Sequence, residues 1–365
     1  MTFISIKFII GYGRVAPNHI VAAKANQLNI VAICDIDVQK AEEFRKNNQL
    51  DESVKIYSDY NHLFDREDLD LIAIATWSGE HAKIALAAIR HKINVIIEKP
   101  IALSMEDAHQ IIAESKEYNV KVCTSHQNRF NPTIKKIREA VEKKLVGNLV
   151  YGAAHVRWFR GENYYSQDEW RGTWAQDGGA LMNQCIHNGD LLRWMMGDEI
   201  EEVFAYTDNM IHPYIEAEDL GMAVIKFKNG TYGLFEGTAD VMPRGLEETL
   251  YVFGDKGTVK AGGMSVNRMD VWNIPGEEDR LEEVRRECDE NPENVYGYGH
   301  TPLYRNMIEA ITYDRTPLVD AEAGTRALEL ILAMYQSAAE RRPVKLPLEK
   351  GSTIDYIGRF DKIEK

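Results

Sequence analysis

The feature that most constrains the fold of this chain is a glycine-rich turn close to its start. The apolar run FISIKFII (residues 3–10) is followed at once by GYGRVA, which places Gly11, Gly13 and Ala16 in a G-x-G-x-x-A spacing. A helical pattern comes next, and the apolar run NIVAICDID then leads to Asp35. A strand, a glycine turn, a helix and a second strand that ends in an acid about twenty residues later predict the first βαβ unit of a dinucleotide-binding sheet.

Each part of this unit has a physical role in holding a dinucleotide. Gly11 permits a tight turn, Gly13 lets the backbone approach the pyrophosphate, and the N-terminus of the following helix offers free N–H groups to its charge. Asp35 can accept hydrogen bonds from both ribose hydroxyls and would repel a 2′-phosphate, and no arginine follows it. The sequence therefore predicts NAD rather than NADP as the cofactor.

The first third of the chain continues the same alternation. Further apolar strands and amphipathic helices are predicted, the strands at 69–76, 93–100 and 120–126 and the helices at 38–48, 81–90 and 104–117. This rhythm predicts an α/β fold with a doubly wound parallel sheet in residues 1–126, whose ligand lies at the carboxyl ends of the strands. The polar and aromatic residues at those ends are Thr76, Trp77, Glu98, Lys99 and His126.

Lys99 and a polar stripe on a later helix are the chain's candidates for acid–base chemistry. Lys99 closes an apolar strand directly before a proline, where a purely structural lysine gains little, and this favours a functional role. The segment GGALMNQCIHNGD places Asn183, His187 and Asp190 at i, i+4 and i+7, so a helix would carry them on one face. A lone histidine among apolar residues is more often a buried structural residue, and that alternative stays open at this point.

After residue 126 the pattern changes to that of a second domain, residues 127–365. The strand GNLVYGAAHVRWFR and the alternating segments that follow it are joined by hairpin turns at Asn229-Gly230 and Gly254–Gly257. Helices are predicted at 131–145, 301–313 and 321–340. The charge-rich stretch at 276–291 is predicted to be a solvated loop or an excursion at a sheet edge, with a partner-binding tail as the alternative. We expect a C-terminal α+β domain with a large, open, mainly antiparallel sheet, whose uncovered face favours self-association.

The length, net charge and composition of the chain limit its domain organisation and exclude several classes of function. Its 365 residues are too many for one ordinary core, and a net charge of −14 opposes nucleic acid and anionic membrane surfaces as partners. No apolar run approaches the roughly 20 residues of a membrane span. Four scattered cysteines are typical of reduced thiols in a cytoplasmic protein, and the histidines lack metal-ligand spacing, so no metal is predicted.

Six segments taken together resemble one protein family. GYGRVAPNH, ATWSGEH, EKPIAL, SHQNRFNP, WRGTWAQDGGALMNQCIH and VKLPL are similar to the Gfo/Idh/MocA oxidoreductases, and the resemblance covers nearly the whole chain. It implies a Rossmann domain, a C-terminal domain whose open sheet joins subunits into a homodimer or homotetramer, and hydride transfer between a nicotinamide and a sugar or polyol carbon. The segment RWFRGENYYSQDEWRGTWAQDGGALMNQ resembles the branch of UDP-N-acetylglucosaminuronate 3-dehydrogenases, which implies oxidation at C3 of a UDP-N-acetylated hexuronate.

The motifs and the resemblance together predict the site residues. Lys99, His187 and Asn183 match the catalytic positions of the family, whereas Asp190 stays open between a structural role and orienting His187. The expected cofactor-binding residues are Gly11, Tyr12, Gly13, Arg14, Val15, Asp35, Thr76, Trp77, His81, Glu98, Lys99, Gln127, Trp170 and Arg171. The expected substrate-binding residues are Lys99, Arg160, Tyr165, Arg171, Asn183 and His187.

Three positions depart from the family pattern, and two other functions stay open. Trp77 stands in place of a proline, Gly189 in place of a branched apolar residue, and Asp177 in place of a glycine. The first alternative is a dehydrogenase of a free sugar or inositol, and the second is a non-catalytic dinucleotide-binding regulator. An anionic substrate is favoured over a free polyol by a basic and aromatic cluster, namely Arg157, Arg160, Tyr164, Tyr165, Trp170 and Arg171. An enzyme is favoured over a regulator because Lys99 and His187 are both present.

Overall fold

The computed structural model describes residues 6–277, 279–292 and 295–361, and the chain divides into two compact units. The first unit contains Met1–Ala102, Glu106–Gln127 and Tyr298–Thr325, and the second contains Leu103–Met105, Asn128–Gly297 and Arg326–Lys365. A segment late in the sequence therefore belongs to the same unit as the N-terminal part of the chain. The domain boundary between residues 126 and 127 stays a prediction.

Parallel strands form the sheet of the first unit. They are β1 (Ile6–Ile10), β2 (Ala32–Cys34), β3 (Lys55–Tyr57), β4 (Leu71–Ile74), β5 (Asn94–Ile97) and β6 (Val122–Thr124). Their order across the sheet is β3-β2-β1-β4-β5-β6, so the order reverses between β1 and β4. The predicted doubly wound parallel sheet is confirmed, and such a reversal places a ligand crevice at the carboxyl ends of the strands.

Helices alternate with these strands. They are α1 (Ala16–Ala25), α2 (Val38–Asn47), α3 (Tyr60–Arg66), α4 (His81–Arg90) and α5 (Met105–Glu117). Each of the helices predicted in this region is confirmed, while α3 and the short strand β3 are additional elements. The Asp37 carboxylate caps α2 by accepting hydrogen bonds from the backbone N–H groups of Gln39 and Lys40.

Eight strands form the sheet of the second unit. They are β7 (Leu149–Arg157), β8 (Ile200–Asp208), β9 (Leu220–Phe227), β10 (Tyr232–Thr238), β11 (Glu247–Gly254), β12 (Thr258–Gly262), β13 (Arg268–Asn273) and β14 (Val344–Lys345). Their order is β13-β12-β11-β7-β10-β9-β8-β14, with β7 and β10 parallel and the other described neighbours antiparallel. The predicted hairpin turns join β9 to β10 and β11 to β12, so the mainly antiparallel sheet is confirmed.

Further helical segments follow residue 130 in the chain. They are α6 (Pro132–Glu142), α7 (Glu162–Tyr165), a π-helical turn (Leu181–Cys185), α8 (Ile186–Met196), α9 (Leu281–Cys288), α10 (His300–Thr312) and α11 (Ala321–Glu340). The helices predicted near 301–313 and 321–340 are confirmed. Within the described part of the chain, every helix falls short of the length or the apolarity that a membrane span requires.

The inner face of the second sheet carries α8. A Cβ on Gly152 would lie 2.8 Å from the Met196 sulfur, and one on Gly237 would lie 2.7 Å from Leu181. Missing side chains on the strands thus let the helix and the π-helical turn lie close against the sheet. This contact fixes the height of His187 above the inner face.

The outer face of the same sheet is largely apolar and exposed. Its aromatic and aliphatic side chains are between 38% and 67% exposed, and they are Tyr151, Tyr206, Met222, Val224, Tyr232 and Leu234. Along β9 and β10 these residues alternate with buried ones, as one-sided burial of an antiparallel sheet requires. A continuous apolar surface of this kind is typical of an interaction site.

The charge-rich stretch at 276–291 forms a short helix at the edge of the sheet, which agrees with an edge excursion and not with a solvated loop. It contains α9, whose Val284 and Cys288 are buried, while Glu278 lies outside the described residues. The Arg285 Nε donates a hydrogen bond of 2.8 Å to the Met269 carbonyl of β13. Val284 and Cys288 form a narrow apolar stripe on an otherwise charged helix. This stripe is enough to hold the short helix against the edge of the sheet.

Candidate active site

The turn after β1 holds the first group of predicted cofactor residues. Gly11 has a φ of +87°, and a Cβ there would lie 2.8 Å from the Ala75 carbonyl oxygen and from the Thr76 backbone. A glycine is therefore required, because the turn passes directly over the end of β4. The residues that follow, at the start of α1, are exposed or half-buried, and they are Gly13, Arg14 and Val15. The first N–H groups of α1 favour an anion at this position.

Asp35 is held in place at the end of β2. Its Oδ2 accepts a hydrogen bond of 3.1 Å from the Tyr12 backbone N–H, and its Oδ1 accepts one of 3.0 Å from Asp37. Each carboxylate oxygen can accept a further bond, so both can bind ribose hydroxyls. The Tyr12 ring stacks on Phe44 with 4.3 Å between centroids, and burial raises the pKa of its phenol. Tyr12 thus orients Asp35 through its backbone while its side chain packs in the core.

His81 bridges the loops that follow β4 and β5. Its Nδ1 lies 2.7 Å from the Pro100 carbonyl oxygen and its Nε2 lies 3.2 Å from that of Thr76. Burial lowers the pKa of His81, and hydrogen bonds to these carbonyls oppose the shift. The imidazole therefore holds together the loop that carries the half-buried Thr76 and Trp77 and the loop that contains Pro100. Gln127, after β6, is buried.

A buried hydrogen-bonded cluster lies behind Lys99. His19 Nε2 is 3.0 Å and His300 Nε2 is 3.4 Å from Glu98 Oε1, and the Tyr304 hydroxyl is 2.8 Å from His19 Nδ1. Burial raises the pKa of Glu98, but the hydrogen bonds from His19 and His300 outweigh it and hold that pKa well below its ordinary value. The cluster ties α1 and the end of β5 to α10, and it fixes the backbone beside the half-buried Lys99.

The helix that carries His187 begins on a pair of glycines. Gly178 and Gly179 have φ angles of +84° and +93°, and a Cβ on Gly179 would lie 1.8 Å from Glu218 Oε2. Glu218 Oε1 accepts a hydrogen bond of 2.7 Å from the Leu181 N–H and lies 2.8 Å from the Tyr335 hydroxyl. Burial raises the pKa of Glu218 to about 8. A neutral glutamic acid therefore caps the start of the helix at pH 7.

The polar stripe starts in the π-helical turn and continues into α8. Asn183 is half-buried, and its Nδ2 donates a hydrogen bond to the buried carboxylate of Asp177. His187 follows in the first turn of α8 and is 7% exposed. Sequence spacing predicts a regular helix here, whereas the structure has a π-helical turn, a feature that is frequent at functional sites.

Asp190 forms a buried ion pair with Arg129. Arg129 Nε and Nη2 donate to the two carboxylate oxygens at 2.7 Å and 2.6 Å, and both side chains are almost fully buried. The guanidinium also lies over the Trp194 ring, 4.9 Å from its centroid. This two-point bond anchors α8 to the segment after β6, which supports a structural role for Asp190.

Arg160, Tyr164 and Arg171, which we name the arginine–tyrosine cluster, form one connected group. The guanidinium carbons of Arg160 and Arg171 lie 5.3 Å and 4.6 Å from the centroid of the Tyr164 ring. The Tyr164 hydroxyl accepts hydrogen bonds from Arg171 Nη1 at 2.8 Å and Gln184 Nε2 at 2.9 Å. Because Gln184 precedes α8 by two residues, the cluster is joined directly to the helix of His187.

Of the remaining members of the predicted basic and aromatic group, Trp170 and Tyr165 contact this cluster, whereas Arg157 pairs with acids of the sheet. Trp170 stacks under Arg171 at 4.4 Å and is half-buried. Tyr165 is buried against His212, and burial raises the pKa of its phenol. Arg157 lies on the outer face, where its guanidinium binds Glu236 and Glu247, so the expectation of three arginines in one site is wrong. Side chains alternate along β7, and Arg157 is on the face away from α8.

A buried acid next to Arg160 was not found from the sequence. Glu248 on β11 is 1% exposed, and its Oε2 has no hydrogen-bond partner among the described residues. Burial raises the pKa of Glu248 to about 8, and the charge of Arg160 opposes this shift. Glu248 is therefore mostly neutral at pH 7, which leaves the positive charge of Arg160 available to an anion.

Two groups of described residues bring potential metal ligands together, namely His19, Glu98 and His300 and, in the second unit, His212, Asp219 and Asp240. In the second group His212 Nδ1 lies 2.8 Å from Asp219 and 3.1 Å from Asp240. Burial lowers the pKa of His212, but these carboxylates outweigh it and raise that pKa to about 9. A cationic imidazole between two acids accounts for this group as an ion-pair cluster.

Sequence reasoning missed several residues or gave them no role, for identifiable reasons. The basic and aromatic cluster predicted from sequence includes Tyr164, but Tyr165 is the tyrosine predicted to bind substrate, because nothing in a local pattern shows which of the two faces the arginines. Asp177 lies outside the helix, so helical spacing gave no sign of its bond to Asn183. Glu218 and Glu248 are acids on or near strands, where sequence alone suggests exposure.

Family comparisons match both parts of the chain. Residues 7–126 match the NAD-binding Rossmann fold of an oxidoreductase family. Residues 138–346 match the C-terminal alpha/beta domain of the same family. Among curated relatives, the myo-inositol 2-dehydrogenase of Thermotoga maritima is 27% identical over 93% of this chain and 97% of its own length.

Two solved structures are similar over almost the full length. The WlbA dehydrogenase from Bordetella pertussis, in complex with NADH and UDP-GlcNAcA, is 32% identical and covers 96% of this chain and 100% of its own, with a TM-score of 0.87. The WlbA dehydrogenase from Chromobacterium violaceum, also in complex with NADH and UDP-GlcNAcA, is 30% identical and covers 96% of this chain and 98% of its own, with a TM-score of 0.85.

Proposed function

Because this chain belongs to the Gfo/Idh/MocA family of oxidoreductases, we propose that it oxidises the C3 hydroxyl of a UDP-linked N-acetylated hexuronate. The chain is an enzyme of the NAD-dependent sugar and inositol dehydrogenase family. The observation that carries the finer proposal is the arginine–tyrosine cluster, which joins two guanidinium groups and an aromatic ring to the helix of His187. The similarity to dehydrogenases that bind UDP-GlcNAcA supports the same substrate class.

The residues at the ends of β1 and β2 fit NAD. The turn at Gly11 has no room for a side chain, and Asp35 is oriented by two backbone N–H groups with acceptor capacity left on both oxygens. Gly13, Arg14 and Val15 would hold the pyrophosphate at the start of α1, and Asp35 would hold the ribose. When bound, NAD supplies the hydride acceptor for the reaction.

The roles of the remaining groups follow from the charge changes in alcohol oxidation. The C–H bond gives up its electron pair as hydride, the O–H bond gives up a proton, and a ketone is formed. We assign the proton to His187, because an imidazole has a pKa close to neutral pH. Lys99 would donate a hydrogen bond to the reacting oxygen and stabilise its developing negative charge, while Asn183 would orient the sugar.

A substrate screen tests this proposal. NADH absorbance would be followed in mixtures of the purified protein, NAD and one candidate substrate, drawn from UDP-sugars, free hexuronates, inositols and simple aldoses. We expect the highest kcat/KM with UDP-N-acetylated hexuronates. Turnover of an inositol or a free sugar alone would replace the proposal with the broader assignment of a polyol or sugar dehydrogenase, and bound NAD that no substrate reduces would favour a regulator.

Replacing Arg160 with alanine should weaken the preference for an acidic sugar. The chain has a net charge of −14, so an anion needs a local positive site, and Arg160 lies beside a mostly neutral Glu248. Loss of one charge-assisted hydrogen bond should lower kcat/KM for UDP-N-acetylglucosaminuronate about 10–100-fold, with a smaller loss for UDP-N-acetylglucosamine. Arg268→Ala, an exposed arginine of the same unit, is the control. Equal loss with both sugars would remove the case for Arg160 as the carboxylate site.

We also propose that the outer face of the second sheet joins subunits. Val224 and Leu234 are cross-strand partners near its centre, and they are 50% and 44% exposed. Replacing both with glutamate should place like charges within an apolar contact and shift the assembly to monomers, as measured by sedimentation. Tyr313→Glu, at an exposed residue of the first unit, should leave the assembly unchanged. A monomeric parent protein would contradict this proposal.

A further inference from the structure

Asp177 is buried and binds two donors from different segments. Its Oδ2 accepts a hydrogen bond of 2.7 Å from the Gly172 backbone N–H, and its Oδ1 accepts one from the side-chain Nδ2 of Asn183. The residue is 1% exposed and lies in a turn, where the Asp177 and Gly178 N–H groups both donate to the Thr173 carbonyl. Its carboxylate is therefore fixed relative to Asn183 by the backbone as well as by its two partners.

This contact determines which way the Asn183 amide faces. The amide nitrogen of Asn183 donates its hydrogen bond to Asp177, so its carbonyl Oδ1 must face the other way. Asn183 thus presents an acceptor, rather than a donor, one turn before His187.

We propose that Asp177 is a positioning residue that fixes Asn183 as a hydrogen-bond acceptor for a substrate hydroxyl, and so selects sugars that carry a hydroxyl donor next to the reacting carbon. The inference rests on the proposed function, since it names the polar group that Asn183 would recognise. It also assigns a use to the acid that stands where the family pattern has a glycine.

The same residue links substrate recognition to the arginine–tyrosine cluster. Gly172 directly follows Arg171 and has a φ of +71°, and a Cβ there would lie 2.5 Å from Ile215. This backbone is therefore confined, and its N–H holds Asp177 from the side of the cluster. Asp177 couples the segment that carries Arg171 to the amide of Asn183.

An Asp177→Asn variant tests the orientation of the amide. The new side chain can keep the bond to the Gly172 N–H through its oxygen, but its NH₂ group would face the NH₂ group of Asn183. Asn183 should then turn over and present its NH₂ to the sugar. We expect kcat/KM for the preferred sugar to fall about 10–100-fold, the effect of an unsatisfied polar contact, while NADH affinity stays within about twofold.

A second change should reverse this loss. In the double variant Asp177→Asn with Asn183→Asp, the NH₂ group at position 177 can donate to a carboxylate at 183, which again presents an acceptor to the sugar. We expect the double variant to recover about tenfold or more of the lost kcat/KM. A single variant with unchanged kinetics, or a double variant no better than the single one, would overturn the proposal. If the single variant does not fold, an active double variant supports the proposal and an inactive one overturns it.

Unfolding measurements separate this inference from the proposed function. A double-mutant cycle for positions 177 and 183, read from urea unfolding, requires no substrate. Favourable coupling in the double variant supports the acceptor–donor contact even if the parent protein oxidises none of the sugars, a result that rejects the proposed function alone. Zero coupling overturns the positioning role whatever the sugar screen shows.

Discussion

Replacing His187 with asparagine is expected to lower kcat about 10²–10⁴-fold, which is the usual contribution of a positioned acid–base group. Asparagine keeps a polar side chain of similar reach but cannot take up the hydroxyl proton. NADH affinity should change little, because Gly11 and Asp35, which fit the cofactor, lie in the first unit, whereas His187 lies in the second. Steady-state NADH formation gives kcat, and fluorescence titration gives the affinity for NADH.

Two further variants make this result interpretable. His109→Asn changes an exposed histidine on α5 and should keep the parent rate. Lys99→Met removes the ammonium group but keeps most of the side-chain volume, and a loss as large as that of His187→Asn is expected, since the oxygen charge then lacks its donor. Near-normal rates in both His187→Asn and Lys99→Met would contradict the catalytic assignment. They would support the alternative that His187 is a buried, hydrogen-bonded structural residue.

The cofactor half of the site could be predicted from sequence because its determinants are local. Gly11 is required by a turn that immediately follows β1, and Asp35 stands at the end of the next strand, so spacing alone places them in one crevice. The hairpins of the second unit were predictable for the same reason. Their turns contain Gly230 and Gly257 next to strands with clear alternation.

The substrate half depends on contacts between distant segments, which no local pattern shows. Arg157 and Arg160 are three residues apart, yet strand geometry places Arg157 among acids on the outer face. The bond between Asp177 and Asn183 depends on a turn stabilised by Thr173, and neither spacing nor composition indicates it.

The long-range pairing that completes the first unit was equally hidden. His300 and Tyr304 reach Glu98 and His19 across most of the sequence, because α10 belongs to the unit of the Rossmann sheet. A boundary drawn where the βα rhythm ends, after residue 126, does not include this segment. Periodicity reports which face of a helix is buried and does not report against which element it packs.

Glu218→Gln is expected to flatten the dependence of stability on pH. In the folded chain burial raises the pKa of Glu218 to about 8, from its ordinary value of 4.5. Between these two pH values the folded state keeps a proton that the unfolded state has released, so stability falls as the pH rises. The contribution is complete below about pH 4.5, decreases by up to about 1.4 kcal/mol per pH unit, and levels off above about pH 8.

The variant isolates this group, because glutamine resembles the neutral acid at every pH. Urea unfolding would be measured at about pH 5.5, 7 and 8.5. The free energy of unfolding of Glu218→Gln, relative to that of the parent, should rise by a few kcal/mol in total over this range. Glu349→Gln changes an exposed acid and should leave the pH dependence of the parent unchanged. Parallel curves for the parent and Glu218→Gln would mean that Glu218 is ionised in the folded chain.

The sign of this effect also bears on catalysis, because Glu218 holds the Leu181 N–H at the start of the helix that carries His187. An ionised Glu218 would be a buried charge next to Asp177, whose charge already raises the pKa of Glu218. If the helix start loosens as Glu218 ionises, kcat/KM of the parent should fall as the pH passes about 8, and Glu218→Gln should keep its rate to higher pH. If kcat/KM falls identically in the two proteins above about pH 8, the titration of another group causes that loss. The unfolding data would still decide the protonation state of Glu218.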